Sequence, residues 1–127
     1  MIHAQKADWK GNVLLWGILG VQKEAVLAAK RAIVTVEERV RSLDAPQNAC
    51  VLPGWVVTAV CEVPRGATPS YAHGYYERDN VFYRAWDGIS RKRERFAAWV
   101  DQHILNTPDF AEYLKMQSDA KVQAVYP

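Results

Sequence analysis

Apolar positions set in at the very start of the chain. Ile2 to Ala7 reads as a short strand, Asp8-Trp9-Lys10-Gly11-Asn12 as a polar turn, and Val13-Leu14-Leu15-Trp16 as a second strand. The pattern opens at Ile2 with no lead-in, so a chain that forms part of something larger is expected. Gly17 and Gly20 bracket Ile18-Leu19, and from Val21 the positions Val21, Ala25, Ala28 and Ala29 recur at helical spacing up to Lys30 and Arg31, cations that suit a helix C-terminus. Ala32 to Val36 is short and β-branched, with Glu37 and Glu38 expected at its carboxyl end. Strand, helix, strand is the grammar of an α/β protein.

Residues 41 to 55 carry Ser42, Asp44, Pro46, Asn48, Pro53 and Gly54, which predict a connecting loop. Val56 to Val63 is nearly all apolar without strict alternation, the look of a strand buried on both faces of a parallel sheet. Pro64 to Tyr76 is a long irregular segment dense in Gly, Pro and aromatic residues. Helical period returns with Val81, Phe82, Ala85, Trp86 and Ile89 behind an N-cap at Asp79 or Asn80, and continues in Phe96, Trp99, Val100 and Ile104 as two helices or one kinked helix. Pro108 opens a short helix with Phe110, Tyr113 and Leu114 on one stripe, followed by a polar tail. The expected fold is therefore α/β, a mostly parallel sheet flanked by helices with a helical carboxyl-terminal segment. Residues 1–127 are expected to form one domain, with 106–127 peripheral.

Length and composition narrow the function classes. A chain of 127 residues with 50% apolar and 24% charged residues is an ordinary globular domain. At this size about two-thirds of the unfolded surface is buried, enough for one core. The net charge of +2 is too small for a general nucleic-acid or membrane attractor, although small anionic ligands fit. Cys50 and Cys61 show no metal spacing and no disulfide framework, so two reduced thiols are expected, with Cys61 in the buried strand. No run approaches the ~18–20 apolar residues of a membrane span, and the amino terminus lacks a signal-peptide layout, so a cytoplasmic location is expected.

Ligands of parallel sheets collect beyond the carboxyl ends of the strands, which directs attention to Glu37-Glu38 and to Glu62 with the segment after it. Carboxylates there suit acid/base or nucleophilic work if burial and repulsion shift them; the plainer reading is structural, as helix caps or arginine partners. An irregular stretch as long as 64–76 in a compact domain is usually functional. Within it Gly66 and Gly74 permit close backbone approach, Ser70 and His73 supply a hydroxyl and an imidazole, and Tyr71, Tyr75 and Tyr76 supply flat amphipathic faces. Glu62, Ser70 and His73 are the substrate-contacting candidates. The Gly-x-Ser-x-Gly elbow is absent, which disfavours a hydrolase triad. His3, His73 and His103 lack companions at metal spacing and read as satisfied polar groups. Arg91-Lys92-Arg93-Glu94-Arg95 reads as a solvated face whose charges meet acids at helical spacing. The five tryptophans read as core, subunit interface or both.

The ordered string Ile2-His3-Ala4-Gln5-Lys6-Ala7-Asp8, Gly11-Asn12-Val13, Trp16-Gly17, Val34-Thr35-Val36-Glu37-Glu38, Pro69-Ser70-Tyr71-Ala72-His73-Gly74-Tyr75-Tyr76, Asp79-Asn80 and Phe82-Tyr83 resembles the carboxyl-terminal half of the A-subunit of family I CoA-transferases, the glutaconate CoA-transferase type, over residues 2 to about 105. The resemblance implies an α/β subunit that pairs with a CoA-transferase B-subunit in a hetero- or homo-oligomer. It implies ping-pong transfer of CoA between an acyl-CoA and a carboxylate, with coenzyme A as substrate and no other cofactor, nucleic acid or membrane involved. The nucleophilic glutamate belongs to the B-subunit, and no residue here matches its motif, so Glu37 and Glu62 do not inherit that role. Relatives carry an amino-terminal half ahead of the Ile-His-Ala-Gln strand, with glycine-rich sequence that shapes the substrate site, and often Gly-Gly where this chain has Arg65-Gly66. The isolated chain is therefore expected to be inactive. A thioester or ring hydrolase of the same two-subunit design and a non-catalytic interaction remnant are the alternative readings.

Overall fold

The structure, a computed structural model, describes residues 1–125, with side chains through residue 118. Two compact units follow one another, Met1–Arg78 and Asp79–Pro127.

The first unit is a five-stranded sheet: β1 (Ile2–Asp8), β2 (Val13–Leu15), β3 (Ile33–Val40), β4 (Cys50–Leu52) and β5 (Ala59–Glu62), in the order β4-β2-β1-β3-β5. Helix α1 (Gln22–Ala28) lies between β2 and β3 in the chain. β1, β3 and β5 pair in parallel, while β2 runs antiparallel to both β1 and β4. The class is the α/β expected, and the sheet is mixed. The antiparallel pair follows from the tight turn at 8–12, which leaves no room for the crossover a parallel partner needs. Asp8 holds that turn: one carboxylate oxygen accepts from the Lys10 and Asn12 backbone N–H groups at 2.9 Å each, and the other from the Asn12 side chain at 2.8 Å. The core gathers Ala4, Ala7, Val13, Leu15, Val34, Val36 and Leu52 from the strands with Val26 from α1.

Several sequence expectations change. The strand read at 56–63 is only four residues long, it is the edge of the sheet, and Ala59, Cys61 and Glu62 are exposed. An apolar run marks a strand able to be covered on both faces; it does not supply the cover. Cys61 is thus exposed rather than buried, and Cys50 is half-buried. β3 runs four residues past Val36, so Glu37 and Glu38 lie within the strand instead of beyond its end. Its extension is fixed by parallel pairing of Lys6, Ala7 and Asp8 with Glu38, Arg39 and Val40, a non-local effect that local propensity does not carry. The loop at 41–55 contains β4, recruited by pairing with β2.

In the second unit, α2 (Asn80–Ser90) is capped by Asp79, whose carboxylate accepts from the Val81 and Phe82 N–H groups. α3 (Arg93–Val100) passes into a π-helical turn at Asp101–Leu105. Phe82, Trp86, Phe96 and Trp99 pack ring to ring between α2 and α3, so two of the tryptophans do serve packing. Trp9 and Trp55 are exposed. α4 (Phe110–Val125) extends into the stretch read as a polar tail, which up to Val125 is rich in Lys, Gln and Ala and free of Gly and Pro. Tyr126 and Pro127, the end of that stretch, lie outside the described residues. No helix among the described residues is long and apolar enough to cross a membrane.

Two outcomes follow from this fold. Cys50 and Cys61 sit on opposite edge strands, separated by four inter-strand steps of roughly 4.8 Å each, far beyond disulfide reach. Titration with a thiol reagent should find two free thiols in denatured protein, with Cys61 the faster in the native state; a single intramolecular bridge would contradict the sheet order. Burial pushes the Asp8 carboxyl upward, but the Asn12 and Lys10 donors outweigh it and hold it below its ordinary 3.8. The stability it contributes is present above pH 3.8 and is lost as pH falls through the lower folded value. Asp8→Asn should cost about 1–2 kcal/mol at neutral pH and flatten the acid limb of the stability profile measured by thermal melts.

Candidate functional site

Parallel register puts His3 of β1 opposite Thr35 of β3, and the two-residue period of strands then brings Gln5 and Glu37 to the same face. The His3 imidazole is held from both sides: Nδ1 lies 2.8 Å from the Thr35 hydroxyl and Nε2 2.6 Å from a Glu37 carboxylate oxygen. Nε2 faces a carboxylate and therefore carries the hydrogen; the Thr35 hydroxyl, also within 3.3 Å of the Ile2 carbonyl, sets the state of Nδ1. The second Glu37 oxygen accepts the Arg65 backbone N–H at 2.7 Å. Glu37 is 5% exposed, and a carboxylate so buried is tolerable only with such donors. It ties β1 to the start of the 64–76 segment.

That segment folds down onto the tie. A Cβ at Gly66 would lie 2.9 Å from two atoms of the His3 ring, so glycine is what lets the backbone cross the imidazole. The Tyr76 hydroxyl accepts the Ala67 N–H at 2.9 Å, and the Arg65 guanidinium lies over the Tyr76 ring. Burial pushes the Tyr76 phenol up to about 12; the Ala67 N–H opposes this and the Glu37 carboxylate adds to it. Tyr75 is likewise pushed up to about 12 by burial and then by Glu38, to which its hydroxyl donates at 3.2 Å. Glu38 also pairs with Lys6 at 3.0 Å.

Between the segment, β1 and the β2–α1 turn lies a cavity of about 170 Å³ lined by His3, Gln5, Leu15, Leu19, Ser70 and His73, among others, with no Asp or Glu among its lining residues. The Gln5 amide bonds both the N–H and the carbonyl of Trp16 at 2.9 Å and so fixes that residue, whose ring meets the His73 imidazole edge-on at 4.6 Å. Gly17, at φ +94°, leaves the room His73 needs: a Cβ there would come within 2.8 Å of the His73 Cβ.

Ser70 and His73 thus meet in one cavity. Glu62 does not join them; it is exposed on the edge strand, with a carboxylate oxygen accepting the Arg39 N–H at 3.0 Å. Glu37 and Glu38 point to opposite faces of the sheet and do not act as a pair. His3 and His103 are satisfied polar groups, the latter bonded to the Trp99 carbonyl and stacked on its ring. No cluster of three or more potential metal ligands occurs among the described residues. Arg91, in the charged run, pairs with Asp87 at 2.7 Å, one turn away. The linking role of His3 and Gln5 was missed in the sequence. The signal was there, since aligning the two predicted strands in parallel sets His3 beside Thr35 and Glu37.

No protein-family profile matches the chain. It is 67% identical over 121 residues to the 3-oxoadipate CoA-transferase A-subunit of Pseudomonas knackmussii, a match covering 95% of this chain and 43% of that protein. Over nearly its whole length the chain is similar to part of a CoA-transferase A-subunit. It is 35% identical to the glutaconate CoA-transferase A-subunit of Acidaminococcus fermentans, over 90% of this chain and 36% of that protein. The crystal structure of glutaconate CoA-transferase from that organism superposes with a TM-score of 0.78 at 35% identity, covering 91% of this chain and 37% of the other. A cysteine-to-serine variant of the decarboxylase AibA/AibB superposes with a TM-score of 0.62 at 30% identity, covering 80% and 37%. The chain spans less than half the length of the curated CoA-transferase subunits it matches.

The tyrosines provide a check on this geometry. The folded state keeps Tyr75 and Tyr76 protonated up to about 12, whereas the unfolded chain ionises them near 10.0, so the stability they contribute is intact below pH 10 and lost as pH rises towards 12. Ultraviolet titration should show Tyr75 and Tyr76 among the late phenolates of the native protein, beside Tyr113, which burial also pushes up. Tyr76→Phe should remove one of them and cost about 1–2 kcal/mol, because the Ala67 N–H loses its acceptor. Two ordinary titrations would contradict the packing of this segment.

Proposed function

We propose that this chain forms part of the A-subunit of a cytoplasmic CoA-transferase that moves CoA between a dicarboxylic acid of the 3-oxoadipate type and a second acid, in partnership with a B-subunit. The observation that carries the reading is the 67% identity, over 95% of the chain, to a 3-oxoadipate CoA-transferase A-subunit. In the ping-pong scheme of the family, the carboxylate of a B-subunit glutamate attacks the thioester carbonyl, giving an acyl-glutamyl anhydride and CoA thiolate. The thiolate then attacks the glutamyl carbonyl, releasing the free acid and leaving a glutamyl-CoA thioester, and an incoming carboxylate reverses the sequence.

The part of this chain is to bind and orient. Glu37 is unsuited to be a nucleophile, because both of its oxygens are held by donors and it is buried. Ser70 and His73 are the side chains proposed to meet substrate; Glu62, committed to the Arg39 N–H, lies apart from them. On this reading the 127-residue chain alone transfers nothing. The decarboxylase with a similar fold is a reminder that reaction type resides in the site and not in the scaffold.

The test is a complete A-subunit carrying this sequence, assembled with the B-subunit of the Pseudomonas knackmussii enzyme and supplied with an acyl-CoA. CoA exchange that depends on added 3-oxoadipate, with parallel-line kinetics, is the expected outcome. Thioester loss to water without an acceptor acid would replace the reading with a hydrolase, and release of carbon dioxide with a decarboxylase.

A further inference from the structure

We propose that the Ser70–His73 cavity holds the carboxylate of the acid substrate that is not activated as a thioester, and so selects dicarboxylic over monocarboxylic acids. This rests on the transferase reading above and adds to it which end of the substrate the cavity takes.

Four observations carry it. First, the Ser70 hydroxyl and the ring nitrogens of the exposed His73 have no hydrogen-bond partner among the described residues, while His3 is committed to Thr35 and Glu37 and Gln5 to Trp16. Ser70 and His73, like the Gln22 amide and the Tyr71 hydroxyl that also line the cavity, are able to donate, which is what a carboxylate asks of a site. Second, no carboxylate lines the cavity, and the Glu37 carboxylate behind His3 is turned to the His3 imidazole and the Arg65 N–H. An anion entering therefore meets donors without a fixed opposing charge. Third, Leu15, Leu19 and Trp16 give the lining an apolar part suited to the methylene chain behind a carboxylate, and about 170 Å³ is the scale of a short acid rather than of a nucleotide. Fourth, both donors are held in place. His73 is pinned against the Trp16 ring with Gly17 beneath it, and the turn carrying Ser70 hangs from Glu37 through Arg65 and from Tyr76 through Ala67. A site that must discriminate needs donors fixed before the ligand arrives, and a carboxylate left without them loses far more than a missing methylene does.

Two measurements test this. In the assembled enzyme, kcat/KM is compared for 3-oxoadipate and for 3-oxohexanoate, which keeps the chain length and lacks the distal carboxylate. In Ser70→Ala and His73→Gln the ratio of the two values should fall about tenfold or more, the loss expected of a hydrogen bond to a charged group. In the 127-residue chain itself, the His73 imidazole resonances, identified by their absence in His73→Gln, should shift on titration with adipate and stay in place with the neutral hexanamide. A ratio that stays within about twofold of the parent overturns the proposal. An equal rise in KM for the acyl-CoA donor and for both acids also overturns it, since the cavity would then hold the pantetheine arm. If the parent assembly transfers no CoA while His73 still shifts with adipate alone, the transferase reading falls and the carboxylate site stands. A response to both titrants, or to neither, removes the site.

Discussion

The arrangement of the first unit turns on one buried carboxylate. Glu37 divides its two oxygens between an imidazole on β1 and a backbone N–H at the start of the irregular segment, joining three parts of the chain that local interactions leave independent. A buried anion is costly when alone and well held when every lone pair has a donor, so the segment is drawn to one position rather than many. Gly66 is the steric counterpart of that electrostatic demand, because a side chain there would push the backbone off the His3 ring. From this tie the rest follows: Ala67 reaches the Tyr76 hydroxyl, Ser70 turns toward the cavity, and His73 lands against Trp16.

A second tie works from the sheet itself. The Gln5 amide imitates a strand partner for Trp16, taking both its N–H and its carbonyl just where β2 has ended. This replaces ladder bonds that the strand can no longer provide and sets the indole as a wall. His3 and Gln5 occupy alternate positions on one strand, so the two ties are rigidly related. A pocket wall assembled from loop residues acquires in this way the geometric definition of a β-strand, as recognition of a small acid requires.

Much of this was legible in the sequence, and the rest was hidden for identifiable reasons. β1, β2, the helix after Val21, the capped helix at Asn80 and the irregular segment at 64–76 all announce themselves through period and punctuation. The length of β3, the recruitment of β4 and the edge position of β5 depend on which strand lies beside which, information that no local window contains. The same is true of the site. Ser70 and His73 were visible because they sit in an unusual loop, whereas His3 and Glu37 looked like an isolated histidine and a strand-end acid until register placed them 2.6 Å apart. Glu62 drew attention by its place at the carboxyl end of a strand, and its carboxylate is given to the neighbouring strand's backbone. The likeness to CoA-transferase A-subunits was legible from the ordered string of short motifs rather than from any one of them.

Amide hydrogen exchange in Glu37→Gln, read residue by residue against the parent chain, tests the central claim most directly. A glutamine cannot accept from both the imidazole and the Arg65 N–H without turning its own amide hydrogens toward one of them. Protection should therefore fall at residues 65–76 while the amides of β1 and β3 keep theirs. Unchanged protection in the segment, or a uniform loss across segment and sheet alike, would contradict the account.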